Sequence, residues 1–223
     1  LKFPAIVSAG TTAPRRGGAE SEGTKVAAAM AVSLLAQIEE DEELDGELPS
    51  VPGAAFGAGD LVARSRADRA MGILLGLAAG DANGGPGEMA LRLAESLCAC
   101  RPRYSSVDVG ERYLEWFFDP SNKHVTWDTG PTADRVFRAA GVHGSPNLPD
   151  VAVAADRALR GMTAGVNSAH RVAPLAAAAW FDADVLQRIA WEESGLTHHH
   201  DLARGCCVII VLLCRQLLLG VTW

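Results

Sequence analysis

Apolar and polar residues follow a helical period along most of the chain beyond residue 60. No stretch of two-residue alternation bounded by turns is present, as an exposed strand would require. Abundant alanine and sparse aromatic residues suit closely packed helices. The pattern therefore predicts an all-α domain. Its helices are expected at 68–80, 89–97, 107–118, 131–140, 149–160, 172–180, 182–193 and 202–219.

The first 59 residues have a different character. They are rich in Pro, Gly, Ser and Thr, apart from an apolar stretch at 24–38 and an acidic block at 39–47. Like charges at that density stay solvated. We expect a poorly ordered N-terminal extension over 1–59 with one short helix at 24–38, and an organised helical domain over 60–223. Because the chain stops on an apolar helix, we also expect that domain to be C-terminally incomplete.

Three glycines, Gly72, Gly76 and Gly80, are spaced four residues apart in the first helix of this domain. Each costs the helix up to ~1 kcal/mol relative to alanine. The spacing predicts that another backbone approaches closely along their face. The break after Gly80 would then place two carboxylates, Asp81 and Glu88, at one end of a packed helix pair.

Composition excludes several classes of function. With 48 % apolar residues the chain suits a folded domain, and a formal net charge of −7 argues against a nucleic-acid-binding protein. Its five cysteines lie in apolar helical runs and not at metal-finger spacings. They predict buried free thiols in a reducing, cytoplasmic compartment. The apolar run 206–214 is shorter than the ~20 residues needed to span a bilayer, so we expect a core helix and no membrane partner.

Polar residues recur where the predicted helices begin, at 81–88, 128–129, 167–171 and 197–198. Helix starts expose unpaired N–H groups and a partial positive charge, so several of them facing one place would suit a phosphorylated or nucleotide-like ligand. Ser, Thr, Asp and Asn also cap helices where no ligand is involved. Each cluster taken singly is explained by capping.

Together these loops resemble the ADP-ribosylglycohydrolase family of all-helical hydrolases, over about residues 60–223. Gly80–Glu88 is similar to the family's Gly-Asp-Ala-x-Gly-x-Pro-x-Glu turn, and Asp128-Thr129-Gly130 to its Asp-x-Gly loop. Asn167–Leu175 is similar to its Asn-Gly-Ser-x-Met-Arg-x-x-Pro-Leu loop, with His170 in place of Met. Thr197-His198 is similar to its Thr-His segment. The resemblance implies a compact orthogonal bundle that cleaves a glycosidic bond of ADP-ribose, on a protein or a small conjugate, with magnesium.

The resemblance assigns Glu88 as the catalytic acid or base. A first-turn glutamate favoured by the helix dipole is the alternative. Asp128 would orient the ribose or help to hold a metal. The alternative is that Asp128 is a turn residue at the entry to the next helix. Asn167 and Arg171 would bind the nucleotide part of the ligand, and a surface or structural ion pair is the alternative for Arg171. The residues that the motifs place at the ligand are Asp81, Asp128, Thr129, Gly130, Asn167, His170, Arg171 and His198.

Two departures from the family concern the metal. The family holds its magnesium pair with a Thr-Asp-Asp-Thr motif and an Asp-x-Asp-Thr motif, and neither occurs between residues 1 and 223. Glu88 runs directly into Met89, where the first motif would stand. The sequence therefore allows an active hydrolase with a modified site, a non-catalytic relative that binds ADP-ribose, or a remnant with an exposed apolar face on its last helix.

The run His198-His199-His200-Asp201 invites a transition-metal interpretation. Adjacent residues at the start of a helix point in different directions, so no more than two could face one ion. We expect His198 to contact the ligand. Asp201 is expected to cap the following helix or to be its first-turn acid.

Overall fold

The chain folds as a set of packed α-helices. The computed structural model describes residues 66–81, 83–143, 147–178 and 180–221, and this part contains eight α-helices and no strand. The all-α prediction is confirmed; the predicted extension, its helix at 24–38 and the boundary near residue 60 lie outside the described residues. The helices are α1 Arg66–Gly80, α2 Gly85–Cys100, α3 Ser106–Phe118, α4 Pro131–His143, α5 Leu148–Ala158, α6 Ala173–Ala177, α7 Ala183–Gly195 and α8 Asp201–Leu218.

Three short 3₁₀ turns join these helices at Pro120–Asn122, Thr126–Thr129 and Asn167–His170. Helix α7 packs against α8, α2 against α3, α4 against α5, and α6 against α8. The turn Thr126–Thr129 lies against α2 and α4, and Asn167–His170 lies against α2 and α8. These contacts fix the loops that carry the predicted ligand-binding residues.

One apolar core spans α2 to α8 and includes the fully buried side chains of Leu93, Tyr113, Phe137, Leu175 and Leu186. Burying a side chain of this size contributes ~1.5–3 kcal/mol. Tyr113 lies on the apolar face of α3, as its helical spacing predicts. In α3 the hydrophobic period therefore predicts the face that the helix buries.

Helix α6 is shorter than predicted. It ends at Ala177, whereas the apolar pattern predicts a helix to residue 180. At Ala178 the backbone leaves the helix with φ −71° and ψ 83°, and the Ala178 carbonyl accepts a hydrogen bond of 2.6 Å from Nη2 of Arg215. The Arg215 side chain on α8 thus takes the place of the backbone N–H that would bond to this carbonyl in a longer helix. The periodicity of apolar residues does not show such a contact.

The face of α1 that carries Gly72, Gly76 and Gly80 is exposed, so the predicted close backbone approach is wrong. A Cβ built at each of the three meets no described atom within 4 Å. Helix α1 packs instead through Ala70, which is buried against Leu218. The three glycines therefore lie on the solvent-exposed face of α1 and not on the face that packs against the rest of the domain.

Gly76→Ala is expected to raise the free energy of unfolding by ~0.5–1 kcal/mol. The residue is helical and exposed, and alanine relieves the entropic cost of glycine without a clash. Urea unfolding measures the change, with Gly85→Ala as the opposite case because its Cβ would stand 2.9 Å from the Val125 carbonyl oxygen. A decrease in the free energy of unfolding for Gly76→Ala would mean that another group packs on this face of α1.

The last helix, α8, leaves an apolar stripe in solvent, as the remnant hypothesis predicts. Leu202, Ile209, Leu213 and Leu217 are each more than a third exposed. All five cysteines are free; Cys207 is buried and the other four are half-buried. In the described ranges no helix combines the length and apolar character needed to cross a membrane.

Candidate functional site

The loop before α2 is organised by the Asp81 carboxylate. Its Oδ1 accepts hydrogen bonds from the backbone N–H groups of Asn83 at 3.3 Å and Gly84 at 2.8 Å. Its Oδ2 accepts one from Gly87 at 2.6 Å. Asp81 thus satisfies donors at the start of α2, which begins at Gly85 and not at the predicted Met89.

The start of α2 lies directly against the Asp128 turn. A Cβ at Gly85 would stand 3.0 Å from the Asp128 Cβ, so only glycine fits this approach. Asp128 itself is half-buried. The buried Thr129 donates its hydroxyl to the Thr126 carbonyl at 3.1 Å and so closes the turn. The geometry gives Thr129 a structural role and packs the Asp128 Cβ against the start of α2.

Gly130 brings the Asp128 turn against the Asn167 turn. Its φ of 81° and ψ of 158° lie in a region that essentially only glycine adopts. A Cβ at this position would stand 2.5 Å from the Asn167 Cγ. The side-chain amide of Asn167 therefore rests on the Gly130 backbone, at the residue before α4 begins.

Gly165 joins the same cluster to His198. The position of a Cβ at Gly165 lies 3.5 Å from Asn167 Oδ1 and 3.9 Å from His198 Nε2. Gly165 is exposed, while His198 is fully buried beneath it. We call Asp128, Gly130, Gly165, Asn167 and His198 the candidate site. Three of the four polar clusters predicted at helix starts meet here.

Arg171 lies in a buried network and not at an open surface. Its Nε donates to Glu193 Oε1 at 2.6 Å, and both side chains are essentially inaccessible. The guanidinium stacks 4.9 Å from the centre of the Tyr113 ring, and the Tyr113 hydroxyl donates to the same Glu193 oxygen at 2.7 Å. Although burial alone would lower the pKa of Arg171, the charge of the adjacent Glu193 raises it, so the guanidinium stays protonated.

Glu193 and Tyr113 are the partners that sequence reasoning missed. Glu193 lies on the apolar face of α7 with Leu186 and Ile189, and all three are buried. A charged residue on an apolar stripe needs a buried partner. The position of Glu193 on the apolar face of α7 is the sequence feature from which its buried ion pair could have been predicted.

His198 is a buried neutral histidine with one free nitrogen. Its Nδ1 is 2.8 Å from Thr197 Oγ1, and its Nε2 has no hydrogen-bond partner among the described residues. Burial has the largest effect on the pKa of His198, and the nearby charges of Arg171 and His170 have smaller effects. Together they lower this pKa to about 3. The orphaned Nε2 is the polar atom of the candidate site that most needs a ligand partner.

This depressed pKa predicts that acid destabilises the protein through His198. Between pH ~6.5 and pH 3 the unfolded chain binds a proton that the folded protein excludes, so stability falls as pH falls, by up to ~1.4 kcal/mol per pH unit. His198→Gln should flatten that part of the stability profile, measured by urea unfolding. His124→Gln, at an exposed position, should keep it. An unchanged slope in His198→Gln would contradict the assignment.

Two predicted residues lie at the margin of this cluster. Glu88 is half-buried on α2, and its Oε2 is 3.6 Å from Nη2 of Arg92. Among the described residues, Glu88 has no hydrogen bond or ion pair with Asn167 or His198. His170 is exposed in the Asn167–His170 turn and close enough to affect the His198 pKa. Their roles at a ligand stay predictions.

The three histidines at the start of α8 differ in position. His198 lies inward, whereas His200 caps α8 by accepting a 3.2 Å hydrogen bond from the Leu202 N–H. Asp201 is the first-turn acid of α8, and the cap is His200 and not Asp201. Within the described ranges no three His, Cys, Asp or Glu side chains are placed to share a metal ion.

The carboxylates in the described part of the chain do not fit the magnesium pair that the family resemblance implies. Magnesium needs near-octahedral oxygen ligation anchored by fixed carboxylates. Asp81 already accepts three backbone N–H groups, and Glu88 faces Arg92. Among the described carboxylates this leaves Asp128 in the candidate site, which is too few protein ligands for two ions.

Comparison with known proteins agrees with the motifs. The family model described as ADP-ribosylglycohydrolase matches residues 86–222, which is more than half of the chain. No curated protein and no solved structure matches the chain. The match includes every residue of the candidate site and begins just after the Asp81 loop.

Proposed function

Because the chain belongs to the ADP-ribosylglycohydrolase family, we propose that the candidate site binds ADP-ribose or an ADP-ribosyl group. The observation that carries the proposal is the buried His198 Nε2, which has no partner in the described chain and lies beside Asn167 and Gly165. Buried polar atoms are normally satisfied. A ligand with many hydrogen-bonding oxygens would satisfy this one.

The chemistry of the site suits a ribosyl diphosphate. Asn167 offers both an amide donor and an amide acceptor, and the Asp128 carboxylate accepts hydrogen bonds from sugar hydroxyls. Helix α4 begins directly after Gly130, and α8 begins three residues after His198. Their positive ends favour anionic phosphate nearby.

Calorimetry with ADP-ribose tests this proposal, with Gly165→Leu as the blocking variant. A Cβ at Gly165 makes only ordinary contacts of 3.5 Å and 3.9 Å, so the fold should accept a side chain that covers His198 and Asn167. We expect saturable 1:1 binding by the wild type and its loss in Gly165→Leu. Gly76→Leu, on an exposed face remote from these contacts, is the control and should bind normally.

An absence of heat or thermal shift with wild-type protein would overturn the proposal. Equal binding by Gly165→Leu would place ADP-ribose elsewhere. AMP and ribose 5-phosphate, titrated separately, show which half of the ligand supplies the affinity.

Hydrolysis of a glycosidic bond of ADP-ribose is the second candidate function, and the family match favours it. Cleavage needs a group that donates or accepts a proton near the anomeric carbon. Glu88 in the first turn of α2 and Asp128 in the turn packed against Gly85 are the candidate carboxylates, since Asp81 is engaged by backbone N–H groups. The test is release of ADP-ribose from ADP-ribosylated arginine. Release by the wild type that is lost in Glu88→Gln, while ADP-ribose binding is retained, would support hydrolysis. Binding without release in the presence of several divalent metals would indicate a non-catalytic protein that binds ADP-ribose.

We also propose that the protein acts in a reducing, cytoplasmic compartment. Its five free cysteines support this, since oxidising compartments favour disulfides. Mass spectrometry after alkylation of protein from its native source should find all five thiols modified. Disulfide-linked peptides would contradict the assignment.

A further inference from the structure

Thr197 stands between the buried Arg171 and His198. Nη2 of Arg171 donates to Thr197 Oγ1 at 2.9 Å, and the same oxygen is 2.8 Å from His198 Nδ1. All three side chains are buried. The hydroxyl is thus shared by a side chain that can only donate and a ring nitrogen that can do either.

Counting protons selects one arrangement. Arg171 cannot accept a hydrogen bond, so among the described contacts the Thr197 hydroxyl proton has only His198 Nδ1 as its acceptor. If Nδ1 carried the ring proton, the buried hydroxyl proton and Nε2 would both lack partners. With Nδ1 as acceptor, only the Nε2 proton lacks one.

We propose that Thr197, oriented by Arg171, is a positioning residue that keeps His198 in the Nε2–H tautomer, so that the ring presents a hydrogen-bond donor to the ligand. The ligand atom that meets His198 is therefore an acceptor, such as a phosphate, ring or hydroxyl oxygen. Only the identity of that ligand rests on the proposed function; the tautomer is a property of the free protein.

Glu193 anchors the far end of this chain of contacts. Its Oε1 accepts from both Arg171 Nε and the Tyr113 hydroxyl, and Arg171 Nη2 also reaches the Glu193 carbonyl at 3.3 Å. The guanidinium plane is thereby held from two sides. The direction of its bond to Thr197 is fixed before any ligand arrives.

Nitrogen NMR of protein labelled with ¹⁵N-histidine tests the tautomer directly. His198→Asn identifies the His198 signals by their absence. At neutral pH the wild type is expected to show a protonated, pyrrole-type Nε2 and an unprotonated, pyridine-type Nδ1. A pyrrole-type Nδ1, or rapid exchange between both forms, would overturn the proposal without any further variant.

Two variants separate positioning from general structural support. Thr197→Val keeps the shape and removes the hydroxyl, so Nδ1 loses its donor and the tautomer preference should shift to a mixture. Thr197→Ser keeps the hydroxyl and should restore the wild-type pattern. Ser194→Ala removes another buried hydroxyl, which donates to Ser168 at 2.9 Å, and should leave the His198 signals unchanged. A fixed Nε2–H form in Thr197→Val would contradict the role of Thr197.

The ligand titration is read separately from the tautomer. Adding ADP-ribose should move the Nε2–H signal, as expected of a new hydrogen bond, and Thr197→Val should weaken binding about tenfold while Thr197→Ser does not. A correct tautomer with no response to ADP-ribose would contradict the proposed function alone. A wrong tautomer with normal ADP-ribose binding would contradict the positioning role alone.

Discussion

Arg171→Met is expected to lower the free energy of unfolding by about 3–5 kcal/mol. The substitution keeps the volume of the side chain but leaves the Glu193 carboxylate buried without its cation. It also removes the donor to Thr197. Since small domains are stable by only about 5–15 kcal/mol, this loss is large, and urea unfolding at constant m-value measures it.

A surface ion pair provides the matched control for Arg171. Arg138 and Asp134 pair at 2.9 Å on α4, with the arginine two-thirds exposed. Arg138→Met should cost at most ~0.5 kcal/mol. Arg171→Met/Glu193→Leu should recover much of the loss, because no uncompensated charge is then buried. A loss below ~1 kcal/mol in Arg171→Met would mean that the buried pair does not form.

Gly130→Ala is expected to cost about 1–3 kcal/mol of stability from its backbone conformation alone and to weaken ADP-ribose binding roughly tenfold or more. The added Cβ would overlap the Asn167 side chain, which must move away from the candidate site. Urea unfolding and calorimetry give the two effects separately.

Gly161 is the matched control for Gly130. Its φ of 78° is nearly the same, but a Cβ there meets no described atom within 4 Å. Gly161→Ala should cost ~1–2 kcal/mol and leave ADP-ribose binding unchanged. If both variants bound the ligand equally well, the contact between Gly130 and Asn167 would have no part in recognition.

Helical periodicity predicts most of this fold because the core is built from the apolar faces of amphipathic helices. It places α3 and α8 within one residue of their observed starts. Helical periodicity predicts a helix end wrongly where hydrogen bonds from a side chain to the backbone set that end. Asp81 extends α2 backward by accepting N–H groups from the loop, and Arg215 ends α6 early by binding the Ala178 carbonyl.

The candidate site was predictable as a set of loops but not as a geometry. Helix-start clusters at 128–129, 167–171 and 197–198 indicate which segments converge. The sequence does not show that Arg171 forms an ion pair with Glu193, because Glu193 lies 22 positions away on α7. Nor does glycine spacing distinguish the open face of α1 from the tight contact at Gly130.

The most direct test of the account is a crystal structure of the protein with ADP-ribose. We expect an acceptor oxygen of the ligand within hydrogen-bonding distance of His198 Nε2, with Asn167 and Asp128 beside the ribosyl group. A structure in which ADP-ribose lies elsewhere, while His198 Nε2 is bonded to the protein itself, would contradict the assignment of this site.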